Sequence, residues 1–98
     1  MFEMIVGLHV TDAAGYDSYR KGMTPILETF DGFFRYDFKI AETLKSDASH
    51  PMNRVFSLCF PDRSRRDAFF SNSSYLAVRS QFLEKSISGR TLIAEYER

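Results

Sequence analysis

The sequence predicts a single α+β domain with the element order β-α-β-β-α-β, an antiparallel sheet carrying both helices on one face. Two patterns and one connection predict it. Four stretches alternate apolar and polar residues with period two, and two longer stretches place apolar residues at helical spacing. A polar segment joins the middle two strands directly, so those strands form a hairpin while the helices serve as crossovers. The 98 residues contain no linker, repeat or low-complexity tract, so 1–98 reads as one domain.

Residues 2–10 open the chain as a half-buried strand, with Phe2, Met4, Val6, Leu8 and Val10 on one side. Thr11 and Asp12 offer helix N-caps, and Tyr16, Tyr19, Met23, Ile26, Leu27 and Phe30 then form one apolar stripe. Pro25 inside that stripe predicts a kink or break near Gly22 to Thr24, and Gly32 suits a left-handed helix end. Residues 33–40 alternate as the second strand. Thr43 to Asn53, rich in Ser, Asp and Lys, reads as a hairpin connection, longer than usual and therefore mobile or functional. Arg54 to Phe60 is the third strand. Pro61-Asp62 opens a second helical region, which Asn72, Ser73 or Ser74 can recap before Gly89 closes it. Thr91 to Tyr96 is the last strand. This order is the split βαβ arrangement of a ferredoxin-like sheet.

Strict alternation assigns the two faces. Met4, Val6, Leu8, Phe34, Tyr36, Phe38, Phe56, Leu58, Phe60, Leu92, Ala94 and Tyr96 are expected against the helices. Ile5, His9, Phe33, Arg35, Asp37, Lys39, Val55, Ser57, Cys59, Thr91, Ile93 and Glu95 are expected on the far face, half apolar and half charged. Ten Phe and five Tyr are hard to bury in so small a monomer, and near-zero net charge removes self-repulsion. The far face is therefore expected to meet a second copy, giving a homodimer with two sheets face to face.

Composition narrows the functions. Hydrophobic residues at 44% and charged residues at 27% describe a globular chain. Thirteen basic residues balance thirteen acidic ones, which argues against a nucleic-acid or anionic-membrane partner. The basic run Arg63, Arg65, Arg66 is interleaved with Asp62 and Asp67 and reads as a solvated helix face. A single cysteine, Cys59, precludes an intrachain disulfide, and with His9 and His50 it shows no metal-ligand spacing. Neither a metal nor a cofactor is expected, and no phosphate loop or nucleophile elbow is present. No apolar run approaches the roughly 20 residues that cross a bilayer, and Met1-Phe2-Glu3-Met4 does not resemble a secretory signal. The expected location is the cytoplasm.

The chain contains "GYDSY" at residues 15–19, Pro25, "FDGFF" at 30–34, "NRVFSLCFPD" at 53–62 and "DAFFSNSSYLAVRS" at 67–80. Together these resemble a bacterial family of unknown function, the one numbered 1330, within the dimeric α+β barrel superfamily. The resemblance implies a homodimer whose sheets face one another, with a cleft between helices and sheet in each subunit. Related families include cofactor-free monooxygenases, lactone isomerases and haem-binding enzymes, whereas the similar family itself has no established reaction.

Four tyrosines, Tyr16 and Tyr19 on the first helix with Tyr36 and Tyr96 on the sheet, are candidates to bind an oxygenated ligand, since buried phenols need partners. The competing reading makes them amphipathic core residues. Arg79, on the apolar side of the last helix, is a candidate for a carboxylate ligand, or else lays its stem over apolar surface. His9 is the one residue in a regular element suited to proton transfer near neutrality, expected beside Arg35 or Glu95; it is otherwise an interface histidine. His50 reads as solvated. Tyr16, Tyr19, Tyr36 and Arg79 thus form the expected ligand site for a small oxygenated or aromatic molecule. The alternatives are a cofactor-independent monooxygenase or isomerase using His9 or a Tyr as acid or base, and a protein-interaction or assembly module using the long hairpin.

Overall fold

In the computed structural model, which describes residues 1–98, the chain runs β1 (Phe2–Val10), α1 (Ala13–Thr29), β2 (Phe33–Lys39) and β3 (Arg54–Phe60). It continues through α2 (Arg63–Ser71), α3 (Ser73–Val78), a π-helical turn (Arg79–Leu83) and β4 (Ile87–Glu97). The strands form one sheet in the order β2-β3-β1-β4, every neighbouring pair antiparallel. The helices cover one face. There Phe2, Met4, Val6 and Leu8 of β1 and Phe56, Leu58 and Phe60 of β3 pack against Tyr16, Tyr19, Met23 and Leu27 of α1. No helix is long and apolar enough to cross a membrane.

Each helix starts where a short polar side chain accepts an orphan amide. Asp12 accepts from Gly15 (3.1 Å), Asp62 from Arg65 (2.8 Å), and Asn72 from Tyr75 (3.0 Å), recapping the chain between α2 and α3. The expected break before Pro25 does not occur, and α1 runs through it as one helix. Proline in a helix interior costs roughly 3 kcal/mol, but burying Met23 and Leu27 contributes about 1.5–3 kcal/mol each. Gly22 serves another purpose. A Cβ there would lie 2.9 Å from Val78 Cγ1, so glycine lets α1 approach α3.

The end of α1 also departs from expectation. Asp31, not Gly32, takes the left-handed position, with φ 58°. The Asp31 amide donates to the Glu28 carbonyl and the Gly32 amide to that of Leu27, the two bonds of a Schellman end. Gly32 is required by space instead, because a Cβ would sit 2.5 Å from Leu27 Cδ1 and 2.9 Å from Phe60 Cε1. Gly89 likewise lies inside β4 rather than at a helix end.

The largest correction concerns the sheet faces. β2 carries an extra residue at Arg35, and β4 carries one at Ile93 and another at Ser88, each a β-bulge that resets the alternation beyond it. Tyr36 and Phe38 therefore lie on the far face, stacked with ring centroids 5.9 Å apart, and Asp37 turns to the helix face. Ala94 and Tyr96 likewise go to the far face and Glu95 to the helix face. The reversal is stabilised by partners. Asp37 meets Arg20 of α1 (2.5 Å) and Arg54 (3.5 Å), and Glu95 meets Arg66 of α2 (2.7 Å). Ser57 accepts the Tyr36 amide at the first bulge (3.0 Å).

The long connection from β2 to β3 is tied across the far face. Met52 lies over Gly7, and the His50 ring lies over Gly89, where any Cβ would collide with it. The His50 Nδ1 pairs with the Pro51 carbonyl and its Nε2 with the Thr91 hydroxyl, both at 2.7 Å, so this histidine is packed rather than solvated. The Asn53 amide group joins both backbone groups of Val10 at 2.8 Å.

At the centre of the far face Glu3 is buried. It accepts from the Tyr96 hydroxyl (2.5 Å), from Arg35 (3.2 Å) and from the Cys59 thiol (3.3 Å). The Tyr96 hydrogen bond does most to hold its carboxyl down at about 2, against burial, which raises it. Burial and Glu3 together push the Cys59 thiol up to about 11, leaving it unreactive.

Two outcomes are expected in denaturant titrations. Asp31→Gly should stabilise by about 0.5–1 kcal/mol, by relieving a left-handed non-glycine, whereas Gly32→Ala should destabilise by about 1–3 kcal/mol through overpacking. Glu3 has a lowered folded-state pKa, so its contribution is present above about 4.5 and is lost as pH falls toward about 2. Wild type should lose stability across that window, and Glu3→Gln should show a flatter acid limb; equal slopes would contradict the assignment.

Candidate functional site

A cleft of about 560 Å³ opens between the sheet and the second helical layer. Its floor is the helix face of β1 and β3, namely Met4, Val6, Leu8, Phe56 and Leu58, and Phe70 and Leu83 supply apolar walls. Such a volume with mostly apolar lining is the ordinary scale of a small-molecule site.

Tyr19 of α1 and Tyr75 of α3 meet inside it, hydroxyl to hydroxyl at 2.9 Å. The Asn72 cap starts α3 and places Tyr75 one turn on. Phe69 and Phe70 then hold its ring at centroid distances of 4.3 and 5.5 Å. Burial raises both phenols above their ordinary range; for Tyr75 the Tyr19 hydrogen bond and nearby Arg79 and Arg90 partly oppose it. Both are neutral at physiological pH. One hydroxyl donates to the other, so the pair retains one O–H to offer a third group.

Three arginines line the cleft: Arg66 of α2, Arg79 of the π turn and Arg90 of β4. Arg66 pairs with Asp67 and Glu95, both at 2.7 Å. Arg79 pairs with Glu84 at 2.9 Å. In the π turn the Glu84 amide donates to the Arg79 carbonyl, five residues back, and the wider turn brings Glu84 alongside Arg79.

The expected site residues separate. Tyr19 and Arg79 line the cleft. Tyr16 is fully buried beside Tyr19 and accepts from Arg20 (2.8 Å), outside the cleft lining. Tyr36 and Tyr96 lie on the opposite face because of the bulges, so no four-tyrosine cluster forms. The His9 Nδ1 pairs with the Ser88 hydroxyl. Arg35 and Glu95, its expected neighbours, are engaged by Glu3 and Arg66. Tyr75 and Arg90 were not singled out by the sequence. An Asn cap three residues before an aromatic signals the first. Arg90 stands two residues before Leu92, which the alternation already places toward the helices, and that spacing signals its face.

No protein-family model matches the chain, and no curated protein matches it. Solved structures do resemble it. A protein of unknown function from Rhodopseudomonas palustris superposes with a TM-score of 0.84 at 13% identity, over 99% of this chain and 81% of the other. A DABB-family protein with a ferredoxin-like fold from Mesorhizobium loti gives 0.70 at 15% identity, over 99% and 95%. A dimeric protein of unknown function with a ferredoxin-like fold, from Bacteroides fragilis, gives 0.61 at 14% identity, over 99% and 95%. At these identities the likeness is one of fold, and the fold of this chain is ferredoxin-like: an α+β, four-stranded antiparallel sheet with its helices on one face.

Proposed function

We propose that this protein binds a small, largely apolar molecule bearing an oxygen-containing group in the cleft between helices and sheet, and does so as a cytoplasmic homodimer. The observation that carries the reading is the cleft itself, apolar along β1 and β3 and furnished inside with the Tyr19–Tyr75 hydroxyl pair. The pair offers a hydrogen bond to a ligand oxygen, and the walls contribute apolar contact. Binding is favoured over acid–base catalysis because both phenols are held above their ordinary range and His9 lies outside the cleft lining.

Homodimerisation is supported by the far face. The bulges bring Tyr36, Phe38 and Tyr96 there beside Phe33 and Ile93, all between 38% and 51% exposed. Exposed aromatic residues around a buried polar centre suit a protein interface. The resemblance of residues 15–19, 30–34, 53–62 and 67–80 to family 1330 supports the same assembly.

The cleft is tested by titrating the protein with 2-naphthylmethanol, followed by calorimetry. Wild type should bind it, and Tyr19→Phe should weaken binding about threefold to tenfold, the worth of one neutral hydrogen bond. Leu92→Trp, at the exposed rim, should abolish binding by filling the cleft; unchanged binding in that variant would overturn the reading. Native mass spectrometry at micromolar concentration should show a dimer for wild type and a monomer for Tyr36→Lys/Phe38→Lys. A monomeric wild type would contradict the interface.

A further inference from the structure

We infer that the cleft selects an organic carboxylate, whose head is gripped between Arg90 and Arg79 at one end while Glu84 competes for Arg79. This rests on the cleft reading above and names the ligand class. The cleft runs along β1 from Leu8 to Met4, about 13 Å at strand spacing. Its two ends differ in charge. At the Met4 end Glu95 lies opposite on β4, and Arg66 is shared between two carboxylates, Asp67 and Glu95, so no positive charge is left over. At the Leu8 end Arg90 lies opposite in register and makes no ion pair.

Arg79 lines the same cleft from the helical wall, and both guanidiniums are near enough to act on the Tyr75 phenol. Two cations from opposing walls, beside a phenol that can donate, form a receptor for an anionic oxygen pair. The apolar body of such a ligand would lie over Val6 and Leu92 toward Phe70. Glu84 is exposed, so its hold on Arg79 is weak and a ligand carboxylate can replace it. A neutral ligand gains nothing from that exchange.

The test compares 2-naphthoate with 2-naphthylmethanol, the same ring carrying a charged or a neutral oxygen group, by calorimetry at low salt. Wild type should bind naphthoate about tenfold more tightly, the scale of one charge-assisted hydrogen bond over a neutral one. Arg90→Gln should erase that preference, bringing naphthoate down to the affinity that the alcohol shows in the same variant. Glu84→Gln should strengthen naphthoate binding severalfold, without effect on the alcohol. Both residues are exposed, so neither variant endangers folding. Equal binding of the two probes by wild type, or a preference that survives Arg90→Gln, overturns the inference while leaving the cleft reading intact. Failure of both probes to bind overturns the cleft reading and this inference together.

Discussion

Side chains along a strand must alternate between faces, and extra residues in the two edge strands reset that alternation. The bulges at Arg35 and Ile93 are the constraint on which the rest of this molecule depends. Beyond them Asp37 and Glu95 point at the helices, where Arg20 and Arg66 tie both edges of the sheet to α1 and α2. Strict alternation would instead drive the Tyr36 and Tyr96 hydroxyls into the core, where an unpartnered polar group costs about 1–3 kcal/mol. It would also part Asp37 from Arg20 and Arg54, and Glu95 from Arg66.

The same resetting shapes both the outer face and the cleft. Outward, it gathers Tyr36, Phe38 and Tyr96 with Phe33 and Ile93 around the buried Glu3, giving an aromatic face with a polar centre. Inward, it removes two tyrosines from the space under the helices. What remains is a cleft floored by aliphatic and phenylalanine side chains, with one hydroxyl pair inside and arginines at its rim. The π turn contributes separately, aligning Glu84 with Arg79, the ion pair on which the proposed carboxylate exchange turns.

Element order, helix caps and the apolar stripe of α1 were legible in the sequence, because period, cap chemistry and turn residues are local signals. Asp12, Asp62 and Asn72 each cap the helix that follows them. The bulges were not legible, since an alternating string such as Phe33 to Ile40 looks the same whether or not one residue is skipped in pairing. The β2 bulge is held by distant partners, Glu3 for Arg35 and Ser57 for the Tyr36 amide. Of the expected site, Tyr19 stood on the apolar stripe of α1 and Arg79 just past the end of α3, where the helical period still counts from Tyr75, and both line the cleft. Tyr36 and Tyr96 stood on edge strands beyond a bulge, and both were assigned the wrong face. His50 looked solvated because nothing local reveals that Gly89 leaves room for its ring.

The most direct test is the placement of the tyrosine rings in solution, by nuclear Overhauser contacts in isotopically labelled protein. Contacts from Tyr36 to Phe38, from Phe34 to Phe56 and from Tyr19 to Tyr75, with none from Tyr36 or Tyr96 to α1, are the predicted result. Contacts joining Tyr36 or Tyr96 to Tyr16 or Tyr19 would mean unbroken alternation, and would contradict both the two-phenol cleft and the aromatic outer face.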